Sequence, residues 1–428
     1  MPPPSPRRAA ADLVIAVLDD GRALEEAMAR TPSFAALEGR DRGFARAIAS
    51  ATLRRLGGVD AVLAAFLAKP LPPSARLARA LLRTGAAQML ALGTAPHAAV
   101  SETVSLARAD RSAAGFANLI NAVLRKAGGP EGQARFAALP PGADLPAWLF
   151  TRWRAAYGER AGAIASALRN EPPLDLSVKA DAARWAGETG GALAPNSSVR
   201  LQPGHAAPEL LPGYGEGAWW VQDAAAALPT ALLGDVAGKN VLDLCAAPGG
   251  KTMQLANAGA RVTALDTSAE RLTRLKANLA RTKLQAETIA ADALNWEAPQ
   301  QFDAVLLDAP CTATGILRRH PDLAWLRRPN DIPTLAKLQS EMLARAARFL
   351  PAGGALVYAV CSLEPEEGPN IVAQAIKSGL WRRAPIRAAE IHDQPALLTA
   401  AGDLRTTPAH WPEIGGMDGF YAARLIRL

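Results

Sequence analysis

The sequence predicts an α/β protein in three parts: an all-helical N-terminal domain, a small α+β module, and a C-terminal domain built on a mostly parallel sheet. Two observations carry most of this prediction. Apolar residues recur at helical spacing through the N-terminal third of the chain. In the C-terminal part, short apolar runs alternate with helical patterns, which is typical of a parallel sheet covered by helices. The expected domains are residues 1–130, 131–235 and 236–428.

The N-terminal domain consists of segments rich in Ala, Leu and Arg, each bounded by glycine or proline. Gly57 and Gly58 are expected to separate two of these helices. The proline-rich Met1–Pro6 is expected to be disordered. The predicted helices are Ala9–Leu18, Ala23–Arg30, Asp41–Leu56, Val59–Leu67, Ser74–Leu92, Ala98–Arg108 and Ala113–Lys126.

The middle part begins with Gly128–Asp144, which is rich in proline and glycine and is predicted to be a linker. Leu145–Leu168 has the spacing of two helices. A helix over Ala224–Leu232 leads into the C-terminal domain. Three short apolar runs are predicted strands of the α+β module: Leu174–Val178, Val199–Leu201 and Trp219–Val221.

The C-terminal domain shows a regular alternation of strand and helix patterns. The predicted strands are Val241–Leu244, Val262–Asp266, Glu287–Ala290, Ala304–Leu307, Ala355–Val360 and Gly419–Ile426. The predicted helices are Lys251–Ala258, Ala269–Ala280, Pro333–Phe349 and Pro365–Lys377.

The chain has 428 residues and a formal net charge of +7. The excess lies in the first 130 residues, which hold 17 Lys and Arg against 10 Asp and Glu. This distribution favours a polyanion-facing module joined to a neutral one. An ordinary solvated surface is the alternative explanation.

The only cysteines are Cys245, Cys311 and Cys361, and none forms a C-x-x-C pair, so no zinc framework is present and no metal is expected. So few thiols in so long a chain argue against a disulfide scaffold and favour the reducing cytoplasm. No apolar stretch of about 18 uncharged residues occurs, and no membrane association is expected. Asp12 interrupts the one N-terminal run that resembles a signal peptide.

A glycine turn between a strand and a helix is the most informative stretch. Residues 241–252 read VLDLCAAPGGKT, and a second strand then ends at Asp266. Glycines let the backbone approach a ligand, and an acid after the second strand suits the hydroxyls of a ribose. A P-loop would need glycine at Cys245, and a G-x-G-x-x-G dinucleotide motif is absent. S-adenosylmethionine therefore fits best, with an ordinary strand-to-helix turn as the alternative.

Reactive or polar residues follow several predicted strands at what would be one edge of the sheet. Asp292 follows the third strand, Asp308 and Cys311 follow the fourth, and Cys361 follows the fifth. Ligands of such sheets bind outside the carboxyl ends of the strands. If the fourth and fifth strands are neighbours, the two thiols face one crevice. Cys245 is expected only to pack beneath the cofactor.

Several of these segments resemble the motifs of the Nop/Sun family of RNA cytosine-5 methyltransferases. They are Asp243–Thr252, Asp266–Arg271, Asp308–Cys311 and Val360–Ser362, and the loop Arg318–Asp322 is similar too. The resemblance implies a Rossmann-like class I methyltransferase domain. The basic helical N-terminus resembles the NusB-like domain of one branch of that family, which implies small-subunit ribosomal RNA as the substrate.

The resemblance also implies roles for individual residues. Cys361 is the expected nucleophile, which adds to carbon 6 of cytosine and makes carbon 5 able to accept a methyl group. Cys311 is expected to assist release, and Asp308 to bind the cytosine edge. The expected S-adenosylmethionine-binding residues are Cys245, Ala246, Ala247, Pro248, Gly249, Gly250, Lys251, Asp266, Arg271, Asp292 and Asp308.

RNA is the expected partner, and the sequence leaves the oligomeric state open. Basic residues are the candidates for phosphate contacts, which give affinity without sequence choice. The candidates are Arg42, Arg46, Arg54, Arg55, Arg318, Arg319 and His320. Two other functions stay open: a transfer RNA methyltransferase, and a non-catalytic RNA-binding or ribosome-assembly factor. A DNA cytosine methyltransferase would need a Glu-Asn-Val motif, which is absent.

Overall fold

The computed structural model describes residues 5–428, which form two compact units. The first contains the residues up to Arg169 together with Leu317–Pro329. The second contains Asn170–Ile316 and Asn330–Leu428. The helical unit is therefore longer than the predicted domain 1–130, and it includes a segment from the C-terminal half of the chain.

The first unit is entirely helical, as predicted. Its helices α1, α4 and α6 pack against one another around buried side chains such as Leu13, Ile48 and Leu81. The helices are α1 (Pro6–Leu18), α2 (Leu24–Arg30), α3 (Pro32–Ala35), α4 (Gly39–Arg54), α5 (Leu56–Phe66), α6 (Arg76–Leu90), α7 (Pro96–Ala109), α8 (Ala117–Ala127), α9 (Pro130–Ala137), α10 (Ala147–Tyr157) and α11 (Arg160–Ala167).

Two predictions for this unit are wrong. Ser5 and Pro6 are not disordered, because the Ser5 hydroxyl accepts a hydrogen bond from the Arg8 amide and caps α1. Residues 1–4 lie outside the described residues. The predicted linker Gly128–Asp144 instead contains α9 and a 3₁₀ turn, because Phe136 packs into the helical core.

Gly57 and Gly58 do not end a helix but lie inside α5. The missing side chain of Gly57 leaves room for the backbone of the 3₁₀ turn at Pro141–Asp144, and that of Gly58 leaves room for the side chains of Asp144 and Phe136. A Cβ atom on Gly57 would lie 2.1 Å from the carbonyl oxygen of Ala143. The glycines therefore serve a close packing contact, a function that local sequence does not distinguish from helix breaking.

The second unit contains two sheets with helices around them. A small antiparallel sheet has the order β2-β3-β1-β4, and the larger sheet has the order β10-β12-β9-β8-β5-β6-β7, with β11 paired to β12. The strands are β1 (Leu174–Val178), β2 (Ala192–Leu193), β3 (Val199–Leu201), β4 (Trp219–Val221), β5 (Asn240–Leu244), β6 (Arg261–Asp266), β7 (Glu287–Ala290), β8 (Ala304–Asp308), β9 (Ala355–Val360), β10 (Trp381–Arg383), β11 (Leu404–Arg405) and β12 (Tyr421–Arg427).

The remaining helices alternate with these strands. They are α12 (Ala182–Thr189), α13 (Ala224–Ala231), α14 (Gly250–Asn257), α15 (Ala269–Thr282), α16 (Leu323–Leu326), α17 (Asp331–Ala346) and α18 (Pro369–Lys377). Of these, α16 belongs to the first unit. Among residues 5–428, no helix has the length and apolar character needed to cross a bilayer.

The parallel part of the larger sheet confirms the predicted arrangement. Strand β5 pairs in parallel with both β6 and β8, and β8 pairs in parallel with β9. The chain runs outward from β5 through β6 to β7, and then returns to the other side of β5 for β8 and β9. Strand order therefore reverses between β5 and β8, which is where sheets of this kind bind their ligands.

We predict that Gly57→Ala lowers the free energy of unfolding by about 1–3 kcal/mol, because its methyl group collides with rigid backbone. Thermal or urea unfolding of the full chain measures the change. Gly43→Ala in α4 is the matched control, because nothing lies within 4 Å of its Cβ position. The control should be neutral or stabilising by up to about 1 kcal/mol, and equal effects of the two changes would contradict the packing explanation.

Candidate active site

The glycine turn after β5 folds closely against the neighbouring strand. The amide of Ala246 donates to the carbonyl of Leu265, 3.1 Å away, at the end of β6. Gly249 has φ of 107°, and a Cβ atom there would lie 2.8 Å from Leu275. Because both the conformation and the space exclude a side chain, only glycine fits this position without strain. The turn thereby presents backbone to the carboxyl edge of the sheet.

Asp266 holds this turn in place. Its carboxylate is 2 % exposed and accepts hydrogen bonds from the amides of Ala247 at 3.1 Å and Ser268 at 2.9 Å. Arg271 pairs with it at 2.6 Å and also donates to the carbonyl of Ala247 at 3.0 Å. The structure thus brings Asp266 and Arg271 to the predicted cofactor turn. The contact of Asp266 with a ribose and the binding of the cofactor by Arg271 stay predictions.

Asp243 is a buried carboxyl on β5, just before this turn. It belongs to the motif Asp243–Thr252, but the sequence predicted no role for it. The Thr252 hydroxyl donates to one of its oxygens at 2.6 Å. The other oxygen is buried and has no hydrogen-bond partner among the described residues. Burial raises the pKa of Asp243 to about 7, although the Thr252 hydrogen bond acts in the opposite direction.

Lys251, at the start of α14, reaches across the switch point to β8. Its ammonium group donates to the carboxylate of Asp308 at 2.8 Å. Burial alone would favour the neutral amine, but the charge and hydrogen bond of Asp308 outweigh it and raise the pKa of Lys251 above its ordinary value. The lysine is therefore a fixed positive charge at the centre of the site. Asp308 keeps 30 % of its side chain exposed.

The two cysteines predicted to face one crevice are in contact. The Sγ atoms of Cys311 and Cys361 lie 3.5 Å apart, because β8 and β9 are neighbours and pair Asp308 with Ala359. The hydrogen bond with Cys361, together with burial, raises the pKa of the Cys311 thiol well above its usual range. Cys311 therefore holds its proton at neutral pH.

Two further predicted residues have mainly local contacts. Burial raises the pKa of the Cys245 thiol, which agrees with a packing role. Asp292 follows β7 in an exposed turn, where its carboxylate accepts from the Leu294 amide at 3.0 Å and from the Asn295 side chain at 2.7 Å. The predicted contact of Asp292 with adenine stays a prediction.

Several of the predicted RNA-binding arginines are instead used for packing inside the first unit. Arg318 is 1 % exposed, so the prediction that its side chain contacts RNA is wrong. Arg55 pairs with the buried Asp144 at 3.0 Å and stacks on Phe136, so most of its side chain is used in packing, and its contact with RNA stays a prediction. Arg54 donates to the Arg318 carbonyl at 3.1 Å, which also turns it inward.

The other candidates remain accessible. Arg42 and Arg46 are exposed on α4, and Arg42 lies over the Phe34 ring with 4.6 Å to its centroid. Arg319 and His320 are half-buried. Sequence reasoning did not single out a cleft of about 670 Å³ between α7 and α8, which is lined by His97, Arg108 and Arg125 among others. Arg108 and Arg125 lie on different helices, so only the packing of these helices reveals the cleft.

We predict that Asp243→Asn becomes increasingly stabilising, relative to the parent, as pH rises. In the folded chain Asp243 keeps its proton up to about pH 7, whereas the unfolded group ionises near its ordinary value of 3.8. Unfolding therefore releases a proton between these values, so the parent loses stability as pH rises through this window.

Asparagine cannot ionise, so it lacks this loss. The difference in free energy of unfolding between variant and parent should grow by about 1.4 kcal/mol per pH unit across the window. Urea unfolding at about pH 4.5 and about pH 7.5 tests this. If the difference in free energy of unfolding does not depend on pH, burial does not raise the pKa of Asp243.

Comparison with known proteins gives matches over nearly the whole chain. Residues 230–426 match the family described as 16S rRNA methyltransferase RsmB/F, and residues 4–128 match the NusB family. A relative named ribosomal RNA small subunit methyltransferase B, from Escherichia coli strain SMS-3-5 / SECEC, is 36 % identical, and the alignment covers 98 % of each chain.

Solved structures share the fold. The crystal structure of PH0851 aligns with a TM-score of 0.77 at 22 % identity and covers 100 % of this chain and 99 % of that one. A methyltransferase homologue from Pyrococcus horikoshii aligns with a TM-score of 0.55 at 26 % identity, over 66 % of this chain and 96 % of that chain. The predicted fold, a helical NusB-like domain followed by a class I methyltransferase domain, is confirmed.

Proposed function

Because the chain belongs to the 16S rRNA methyltransferase RsmB/F family, we propose that it methylates carbon 5 of a cytosine in small-subunit ribosomal RNA, with S-adenosylmethionine as the methyl donor. The observation that carries this proposal is the pair of thiols 3.5 Å apart beside the Lys251–Asp308 ion pair, at the switch point of the sheet. The three free cysteines support a reducing cytoplasm as the place of reaction.

The residues around the glycine turn fit this donor. S-adenosylmethionine, when bound, supplies a methyl group on a cationic sulfur. Gly249 and Gly250 leave the turn free of bulky side chains. Asp266 and Asp292, at the ends of β6 and β7, would hold the ribose and the adenine.

Cys361 is the proposed nucleophile. Its thiolate forms a bond to carbon 6 of cytosine, and the electrons of the C5–C6 double bond make carbon 5 nucleophilic enough to take the methyl group. Methyl transfer leaves S-adenosylhomocysteine, and a base then takes the proton from carbon 5, whose bonding electrons restore the double bond. The bond from sulfur to carbon 6 breaks in the same elimination, and the thiolate of Cys361 is regenerated.

Cys311 and Asp308 would assist different steps. A thiol that keeps its proton 3.5 Å from the Cys361 sulfur can donate a hydrogen bond to the departing thiolate, and this lowers the cost of elimination. Asp308 is oriented by Lys251 and partly accessible. Its carboxylate is a suitable acceptor for the exocyclic amine of cytosine.

The RNA contacts are proposed for the exposed cations of the helical unit. Arg42 and Arg46 on α4 form one candidate surface, and Arg319 and His320 remain candidates. The cleft between α7 and α8 forms another, and its lining includes Arg108 and Arg125 but no acidic side chain. Such surfaces bind phosphates and position an RNA without reading its sequence.

We predict that the two thiols have separable roles. Cys361→Ala should abolish methyl transfer, because no adduct at carbon 6 can form. Cys311→Ala should still attack and methylate, but slow elimination should leave a protein–RNA adduct that survives denaturing electrophoresis. Cys245→Ala is the control, because it keeps both thiols and should trap no adduct.

Incubation with small-subunit ribosomal RNA and labelled donor, followed by bisulfite sequencing, measures both transfer and target. An adduct with Cys361→Ala and none with Cys311→Ala would exchange the roles. If the protein binds the methyl donor but methylates no RNA, the assembly-factor function is favoured. If it methylates only transfer RNA, then transfer RNA replaces ribosomal RNA as the proposed substrate.

We predict that the exposed arginines of the helical unit contribute to RNA affinity by binding phosphates. Arg42→Gln with Arg46→Gln, or Arg108→Gln with Arg125→Gln, should weaken RNA binding and reduce the salt slope by about one for each phosphate that is no longer bound. Binding of the methyl donor should not change.

Filter binding or anisotropy at several salt concentrations measures this slope. Arg30→Gln is the control, because Arg30 is also exposed but pairs with Glu26 at 3.0 Å. If neither double variant changes the slope more than the control does, both surfaces are ordinary solvated faces.

A further inference from the structure

One buried carboxylate joins the loops that carry the two cysteines. Glu367 is fully buried and lies six residues after Cys361. The amide of Thr312 donates to its Oε1 atom at 2.8 Å, and the Thr312 hydroxyl donates to Oε2. The hydroxyl of Ser362 also donates to Oε2, at 2.5 Å, and the side chain of Gln339 donates to Oε1 at 3.1 Å.

These donors are the immediate neighbours of the reactive thiols. Thr312 directly follows Cys311, and Ser362 directly follows Cys361. One carboxylate therefore holds the residue after each cysteine.

Gln339 extends the same network to the other side of Cys311. Its amide nitrogen also donates to the Pro310 carbonyl at 2.8 Å. The Tyr358 hydroxyl, on β9, donates to the backbone carbonyl of Glu367 at 2.6 Å and so holds Glu367 itself in place. The chain is thus held on both sides of the Cys311 thiol.

The chemistry of the contacts requires an acceptor at this position. Four donors converge on the two oxygens, and a carboxylate offers about four acceptor sites and no donor. Glutamine has nearly the same volume, but it would turn an amino group toward hydrogen-bond donors. At least one buried donor would then lose its partner, which displaces the loops rather than leaving a cavity.

We propose that Glu367 is a positioning residue for the reaction: by binding the residue after each cysteine, it sets the separation of the two sulfur atoms and thereby the rate at which the RNA adduct is released. Glu367 does not contact the thiols directly in this proposal. The consequence for release rests on the roles proposed above for Cys311 and Cys361, whereas the consequence for thiol geometry does not.

Thiol geometry is tested without RNA. In a Cys245→Ala background, phenylarsine oxide can bridge only Cys311 and Cys361, forming two As–S bonds and releasing water. Glu367→Gln should slow this closure by about 10–100-fold in the folded chain, because a displacement near 1 Å has effects of that size on paired groups. In denaturant, the variant and the parent should react alike.

Release is tested on RNA with all cysteines present. Glu367→Gln should accumulate the denaturation-resistant adduct that is predicted for Cys311→Ala, with release slowed about 10–100-fold while adduct formation changes less. Thr312→Val removes one donor and keeps the carboxylate, so it should show a smaller change in the same direction.

Asp175→Asn is the matched control for loss of a buried carboxylate. Asp175 is fully buried in the small sheet, where it accepts from Arg200 at 2.7 Å and from the Ala224 amide at 2.9 Å. The control should lower thermal stability without changing arsenical closure or the ratio of release to adduct formation.

Closure and release at parental rates in both Glu367→Gln and Thr312→Val would overturn the proposal. Equal losses in Asp175→Asn would also overturn it, because they would reflect stability alone. If Glu367→Gln slows the bridging of the two thiols by phenylarsine oxide, but the protein forms no RNA adduct, the positioning role is supported and the proposed function is rejected. Failure of the positioning role and failure of the proposed function are therefore distinguishable.

Discussion

The ion pair between Lys251 and Asp308 is the contact on which the site depends. It joins the first turn of α14 to the end of β8, across the point where strand order reverses. Burying the Lys251 charge is costly, and leaving it without its partner would cost more. The pair therefore contributes position more than stability, and it holds the cofactor turn beside the strand that leads to Cys311.

The charges around this pair favour a ligand without a pyrophosphate group. Burial raises the pKa of Asp243 and of Cys245, and the nearby carboxylates of Asp308 and Asp266 raise both further. Lys251 pairs with Asp308 and Arg271 pairs with Asp266, so a pyrophosphate would add negative charge where the cations already have partners. The same surroundings keep Cys245 protonated.

The helical unit uses arginine in two different ways. Arg55 neutralises Asp144 inside the unit, whereas Arg42 and Arg46 remain on its surface. The segment after the Cys311 loop also belongs to this unit: the Leu24 amide donates to Asp322 at 2.9 Å, and the Trp325 indole donates to the Leu53 carbonyl at 2.9 Å. The arginine-rich loop that resembled an RNA contact is therefore partly a packing element.

By itself the sequence predicted most of the strands and helices, the glycine turn after β5, and the cysteines that follow β8 and β9. These features depend on local periodicity, on glycine at fixed positions and on the carboxyl ends of parallel strands, which are all readable along one chain. Only the tertiary structure decided which arginines are exposed, why Gly57 lies inside a helix, and that Glu367 links two loops about fifty residues apart in sequence. Those outcomes depend on which distant groups share a buried volume, because burial and hydrogen-bond partners are properties of packing and not of residue type.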